Sequence, residues 1–151
     1  MDETDRKLLG LLQQNAHTSR AELAQAVGLS PAGVHKRLHK LHAEGYIRRT
    51  VGILDRGKLG LDLLCFLKLT FKDNLEAANL PALRRAVEGL PEVLECYTLT
   101  GSDDALLKVA VRDHVALRDF LRRFSESQQV VGRVETCIVL EEFKEGTAFP
   151  L

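Results

Sequence analysis

Between residues 30 and 50, five basic side chains (Lys36, Arg37, Lys40, Arg48 and Arg49) stand against one acid, Glu44, with His35, His39 and His42 interleaved. Cations gathered this densely on a short segment are suited to phosphate contact, and a helix among them can carry side chains to base edges. Position separates their expected roles. Lys36, Lys40, Arg48 and Arg49 are expected to meet phosphates, which set affinity and salt dependence but carry no sequence information. Ser30, Ala32, Gly33, His35 and Arg37 stand at or near the N-terminal half of a predicted helix, the part that reaches base edges. Arg37 suits a bidentate guanine contact, His35 or Ser30 can also read bases, and small Ala32 and Gly33 permit close approach. His39 belongs to the same basic side. His35, His39 and His42 recur at i, i+4 and i+7, a spacing that can also ligate a metal on one helix face. The expectation here is polar side chains beside DNA and no metal.

A second group with chemistry is Gly101-Ser102-Asp103-Asp104. At its simplest it is a hairpin turn of turn-favouring residues. As a ligand loop, Gly101 lets backbone N–H groups approach a carboxylate, and Asp104 or Asp103 takes an ammonium group. That pairing suits the two charged ends of an amino acid. Cys65, Cys96 and Cys137 are odd in number, widely spaced and without a CxxC pair, and read as buried thiols in a reducing compartment. No Ser-His-acid pattern, phosphate loop or HExxH appears, so no enzyme and no cofactor are expected.

The elements that must position these residues are legible from caps and periodicity. Helix 1 is expected over residues 3–14, capped by Asp2 or Thr4, with Leu8, Leu9, Leu11 and Leu12 as its apolar side. Ser19 to Glu22 (SRAE) is a capping box opening a helix over 20–27, whose Leu23, Ala24 and Val27 face inward. Gly28 turns the chain, and Ser30-Pro31 opens helix 3 with an N-cap and a proline where no amide is needed. Val34, Leu38 and Leu41 face inward, and Gly45 ends the helix in the left-handed region. Residues 46–54 read as a strand carrying Arg48 and Arg49. Three helices and such a strand make a winged helix-turn-helix.

Residues 55–62 (DRGKLGLD) read as a hinge. Beyond it Leu67, Leu69 and Phe71 alternate with polar residues as a strand, and Leu80, Leu83, Val87 and Leu90 form an amphipathic helix. Strands are expected over 93–100 and 105–111. A helix capped by Asp113 follows, with Leu117, Phe120, Leu121 and Phe124 on its face, and then a last strand over 131–143. Strand-helix-strand-strand-helix-strand is the split βαβ, ferredoxin-like order. It leaves one sheet face bare in a monomer, and a second copy is expected to cover it.

The chain is 151 residues long and formally neutral, yet the average hides an asymmetry. Residues 1–62 hold ten Lys and Arg against seven Asp and Glu, while 63–151 hold eleven against fourteen. No apolar run approaches the ~18 residues that span a bilayer. The acidic opening MDETDRK does not resemble a signal peptide, so a cytoplasmic protein is expected.

The segments VGLSPAGVHKRLHKLHAEGYI, LDRGKLGLDL, LECYTLTGSDDALLKV and VETCIVLEEFK, in this order, resemble the Lrp/AsnC (leucine-responsive, feast/famine) family. The resemblance implies an α+β chain. A winged helix-turn-helix over 1–54 is joined through a hinge at 55–62 to a ferredoxin-like βαββαβ domain of RAM type over 63–151. It implies a regulator of double-stranded DNA that forms homodimers assembling to tetramers or octamers. It also implies a small effector, usually an amino acid, at Thr100, Gly101, Ser102, Asp103 and Asp104. The loop keeps the family's Thr100, Gly101 and Asp104, and Asp103 stands where an aromatic is frequent. The rival from another class is an amino-acid-binding adaptor, or a regulatory subunit, that leaves DNA alone.

Overall fold

The computed structural model describes residues 1–72, 76–127 and 130–151. The chain divides into two compact units, Met1–Ile53 together with Phe143–Leu151, and Leu54–Glu142.

The first unit holds α1 (Glu3–Gln14), α2 (Arg20–Val27) and α3 (Pro31–Ala43). Each helix starts where a side chain takes up amides that a helix leaves unbonded. Asp2, not Thr4, caps α1: its carboxylate accepts from Asp5 N at 2.9 Å, and Asp5 accepts from Asp2 N at 3.0 Å. Ser19 and Glu22 repeat that reciprocal box on α2. Ser30 Oγ accepts from Gly33 N at 3.1 Å ahead of Pro31. Gly28 makes the turn between α2 and α3 at φ +68°. At the end of α3, Gly45 sits at φ +78°, with Gly45 N donating to His42 O and Tyr46 N to Leu41 O. Those two bonds and the left-handed residue are a Schellman stop. Leu8, Leu23, Ala24 and Val34 are buried together, with Leu11, Leu12, Val27, Leu29 and Leu38 packed round them.

The strand expected over 46–54 is absent. A strand needs a partner for its amides, and nothing in the unit pairs with this segment. Its apolar Val51 and Ile53 stand exposed. The last nine residues belong to this unit rather than extending the C-terminal sheet. The Gln13 side-chain amide pairs with the Phe149 backbone, donating to its carbonyl at 3.1 Å and accepting from its N–H at 2.6 Å.

In the second unit, residues 55–62 form a tied turn rather than a slack strip. Lys58 N donates to Asp55 Oδ1, and Arg56 donates to the Leu61 carbonyl and pairs with Glu142 at 2.6 Å. Then come β1 (Leu63–Phe71), α4 (Glu76–Glu88), β2 (Val93–Thr98), β3 (Ala105–Val111), α5 (His114–Ser127) and β4 (Val131–Ile138). The last strand thus ends five residues before the expected 143. The sheet runs β2-β3-β1-β4 with every pairing antiparallel, the ferredoxin-like order. Period-2 alternation divides its faces. Cys65, Leu67, Leu69 and Phe71 of β1 and the odd-numbered residues of β3 pack with Leu83 of α4 and with Leu117, Phe120 and Phe124 of α5. On the opposite face Phe66 pairs with Lys108 and Cys137, and Lys68 pairs with Leu106 and Glu135. No described helix is long and apolar enough to cross a membrane.

Candidate nucleic-acid interface and ligand loop

An α-helix advances 100° per residue, so the buried positions of α3 dictate what its other sides present. Val34 and Leu41 are fully enclosed and Leu38 is partly so. Ala32, His35, Lys36 and His39, at i, i+3, i+4 and i+7, share the opposite, exposed ridge. Lys40 flanks it and lies 3.7 Å from Glu44 one turn on. Ser30 is exposed but engaged as the N-cap. His42, exposed one turn beyond His39, has its Nδ1 2.9 Å from the Leu38 carbonyl oxygen. Among the described residues no three His, Cys, Asp or Glu side chains gather as a metal site. Arg48 and Arg49 are exposed on the extended segment after α3.

Arg37 does not share that ridge. It lies three residues after Val34 and four before Leu41, on the shoulder of the inward stripe. Its Nη1 contacts Asp2 at 2.6 Å and Asp5 at 2.7 Å, both from the start of α1. Asp5 is the charged residue buried among those described, at 6% exposure, while the Arg37 side chain is 34% exposed. Donating hydrogen bonds to Asp2 and then Asp5 holds the Arg37 guanidinium above its ordinary value. Asp2 is lowered, first by the Asp5 backbone N–H and then by Arg37. The guanidinium expected at a guanine is thus engaged inside the protein. The spacing of Asp2 and Asp5 was readable as a capping box, but their reach to Arg37, more than thirty residues on, had no local signal.

The candidate ligand loop is tied into the sheet. Leu99 N donates to Asp104 O and Asp104 N to Leu69 O. Asp104 Oδ2 accepts from Phe71 N at 2.7 Å. Gly101 takes φ +135°, which a side chain would strain, and Thr100, Gly101 and Ser102 are exposed. Asp103, its side chain 14% exposed, lies 3.8 Å from Lys68 Nζ. The same ammonium is 3.5 Å from Glu135, which also takes Arg133 Nη2 at 2.7 Å. The Lys68 charge, then its hydrogen bond, holds the Glu135 carboxyl below its usual range. The structure thus sets Lys68 of β1 and Arg133 and Glu135 of β4 beside the loop, a trio with no local signal in the sequence. Cys65 is buried and Cys96 and Cys137 partly so, one on each of β1, β2 and β4, and burial pushes the Cys65 and Cys96 thiols up.

A winged helix-turn-helix DNA-binding family model matches residues 1–48, and an Lrp/AsnC ligand binding domain model matches residues 64–149. The chain is 32% identical to the transcriptional regulator AzlB of Bacillus subtilis, the alignment covering 100% of this chain and 96% of that one. Its fold matches the crystal structure of a Neisseria meningitidis transcriptional regulator in complex with L-Met, with TM-score 0.90, 32% identity and coverage of 99% and 96%. It also matches Escherichia coli AsnC, with TM-score 0.89, 33% identity and coverage of 99% of each chain. A capped helix-turn-helix with an exposed basic ridge, a four-stranded ligand-binding sheet and likeness over nearly the whole length agree. The chain belongs to the Lrp/AsnC family of transcriptional regulators.

Proposed function

We propose that this regulator binds duplex DNA sequence-specifically as a homodimer and answers to an amino-acid effector held at the loop of Thr100, Gly101, Ser102, Asp103 and Asp104. The observation that carries the DNA half is the exposed ridge of α3, where Lys36 and Lys40 flank His35 and His39 on a helix fixed at both ends by caps. Ser30, Ala32 and Gly33 lie at its leading end, close to bases, while Lys40, Arg48 and Arg49 meet phosphates. A regulator of this kind acts where chromosomal DNA is, in the cytoplasm.

Dimerisation follows from the second unit. Its sheet carries both helices on one face, leaving Phe66, Leu106 and Tyr97 on the other among compensated charges. A second copy covers that face, and dimers assemble further to tetramers or octamers. Two reading heads then stand at a fixed separation, so the operator is a rough palindrome with half-sites ~10 bp or a multiple apart. The L-Met found with the Neisseria relative supports an amino acid as the effector class. Exposed amides about Gly101 suit its carboxylate, and Asp104, with one oxygen on Phe71 N, offers the other to its ammonium.

A thermal-shift screen of the purified protein against the twenty amino acids tests the effector, since a ligand bound only by the folded form raises its melting point. Asp104→Asn keeps an oxygen for Phe71 N and removes the charge. It is expected to abolish the shift and the effector response while leaving DNA affinity intact. An unchanged shift removes Asp104 from the site. DNA affinity that falls steeply with salt supports the regulator. No binding to any duplex at low ionic strength would turn the reading to an adaptor.

A further inference from the structure

We infer that Arg37 is a positioning residue that sets the angle of the recognition helix, and that Lys36 and His35, with Ala32 beside them, specify the bases. This rests on the DNA-binding reading above. It divides labour on α3 differently from what composition suggests, since arginine is ordinarily the favoured reader of guanine.

Three observations carry the assignment. The first is direction: with Val34 and Leu41 enclosed, Arg37 projects from the shoulder that faces α1, while Ala32, His35, Lys36 and His39 form the outward ridge. The second is engagement. Arg37 meets Asp2 and Asp5 at 2.6 and 2.7 Å, and Asp5 is buried. Swinging the guanidinium to a base strands the Asp5 carboxylate in the interior without its cation. The third is the form of the contact. Both carboxylates meet the same nitrogen, Nη1, so Arg37 acts here as one point of positive charge. Guanine recognition uses two nitrogens of the planar fork, and here the Nη1 arm is already taken.

The consequence for recognition is chemical. The Lys36 ammonium donates to purine acceptors, N7 and O6 of guanine above all, and His35 offers a ring N–H to an N7. The Ala32 methyl suits contact with a thymine methyl. Each half-site therefore carries a guanine opposite Lys36 and a thymine toward the leading end of the helix.

The test selects bound sequences from a random duplex pool with the full chain and compares variants on the resulting motif. Lys36→Ala is expected to lose preference at one motif position. Arg37→Ala is expected to select the wild-type motif and to weaken all sequences alike, by roughly tenfold, and Asp5→Asn, which leaves the Asp2 contact in place, to weaken them alike but less. The double variant should be no weaker than Arg37→Ala alone, because Asp5→Asn cuts one of the two contacts that Arg37→Ala removes. Arg37→Lys restores a positive point charge between Asp2 and Asp5 and is expected to recover both affinity and motif. Should Arg37→Ala unfold the helical unit, the folded Arg37→Lys protein still decides. If Arg37→Lys retains the tie but loses preference for one guanine, Arg37 is a reader and the inference falls while the regulator stands. If the wild-type chain enriches no sequence and binds no duplex, both fall.

Discussion

Asp2 and Asp5 show how much of a residue's role lies outside its own neighbourhood. Their spacing announces a capping box, and the box forms. Their second task, holding Arg37, joins the first helix to the third and shows only once the helices pack. Arg37 is basic and lies in the leading half of α3, which suits a base contact, while its 100° steps from Val34 carry it toward Asp2 and Asp5 at the start of α1. Burial favours the tie: Asp5 is enclosed, and moving Arg37 to a base leaves its carboxylate without a cation. The tie also has a pH signature. Asp2 is held below its ordinary value in the folded chain, by the Asp5 N–H and then by Arg37. Its stabilisation is therefore fully present above the ordinary aspartate value near ~4 and is lost as pH falls through the lower folded value. Asp2→Asn is expected to lower the melting temperature of the helical unit at neutral pH. That difference should close as both proteins are taken below about pH 4. A difference that persists unchanged into acid would mean that the Asp2 charge does not contribute.

Elements were the most legible scale. Ser19, Ser30 and Asp113 each begin a helix where an oxygen can take an unbonded amide, and Gly28 and Gly45 each end one at positive φ. These are local rules, decided within four residues, so one sequence suffices to read them. Strand faces were readable for the same reason, since alternation from Cys65 to Phe71 sorts core from open face without a partner in view. What escaped were features that need a partner strand or a distant residue. Residues 46–54 carry apolar Ile47 and Ile53 beside Arg48 and Arg49, as a strand would, but have no pairing strand among the described residues. The strand expected to reach residue 143 stops at Ile138, and the last residues join the helical unit, where Gln13 pairs with Phe149, a contact with no local signal. The turn over Gly101, Ser102, Asp103 and Asp104 is legible from its own residues, whereas Lys68 and Glu135 reach it from two other strands and carry no local signal. Gly28 offers the sharpest element-scale test. A Cβ there meets nothing within 4 Å, so Gly28→Ala adds no clash and isolates the backbone term at φ +68°. It is expected to cost the helical unit ~1–2 kcal/mol, measured by chemical denaturation, and to leave the sheet unit unchanged. A loss well under half that range would show that the turn between α2 and α3 can relax.

At the scale of the whole chain, the two units differ in what holds them. The helical unit encloses a small cluster round Leu8, Leu23 and Val34, with the Arg37 tie across it. The sheet unit buries Phe120, Phe124 and the central strands on one side, while no described helix packs on its opposite face. Tyr97, opposite Leu106 on that face, is 51% exposed in the single chain, and its hydroxyl donates to Glu95. Pairs such as Lys108–Glu95 and Arg133–Glu135 neutralise the surrounding charge within the chain, so bringing two such faces together need not oppose like charges. Stability that depends on a partner follows mass action. Heating the full chain over roughly a hundredfold range of protein concentration is expected to raise the sheet unit's transition. The shift corresponds to about 2.8 kcal/mol per dimer. The helical unit's transition, located by its displacement in Asp2→Asn and Gly28→Ala, should stay in place if its core is complete within one chain. If both transitions ignore concentration while sedimentation reports a monomer, the open face has no second copy on it, and the fixed spacing of two reading heads loses its physical basis.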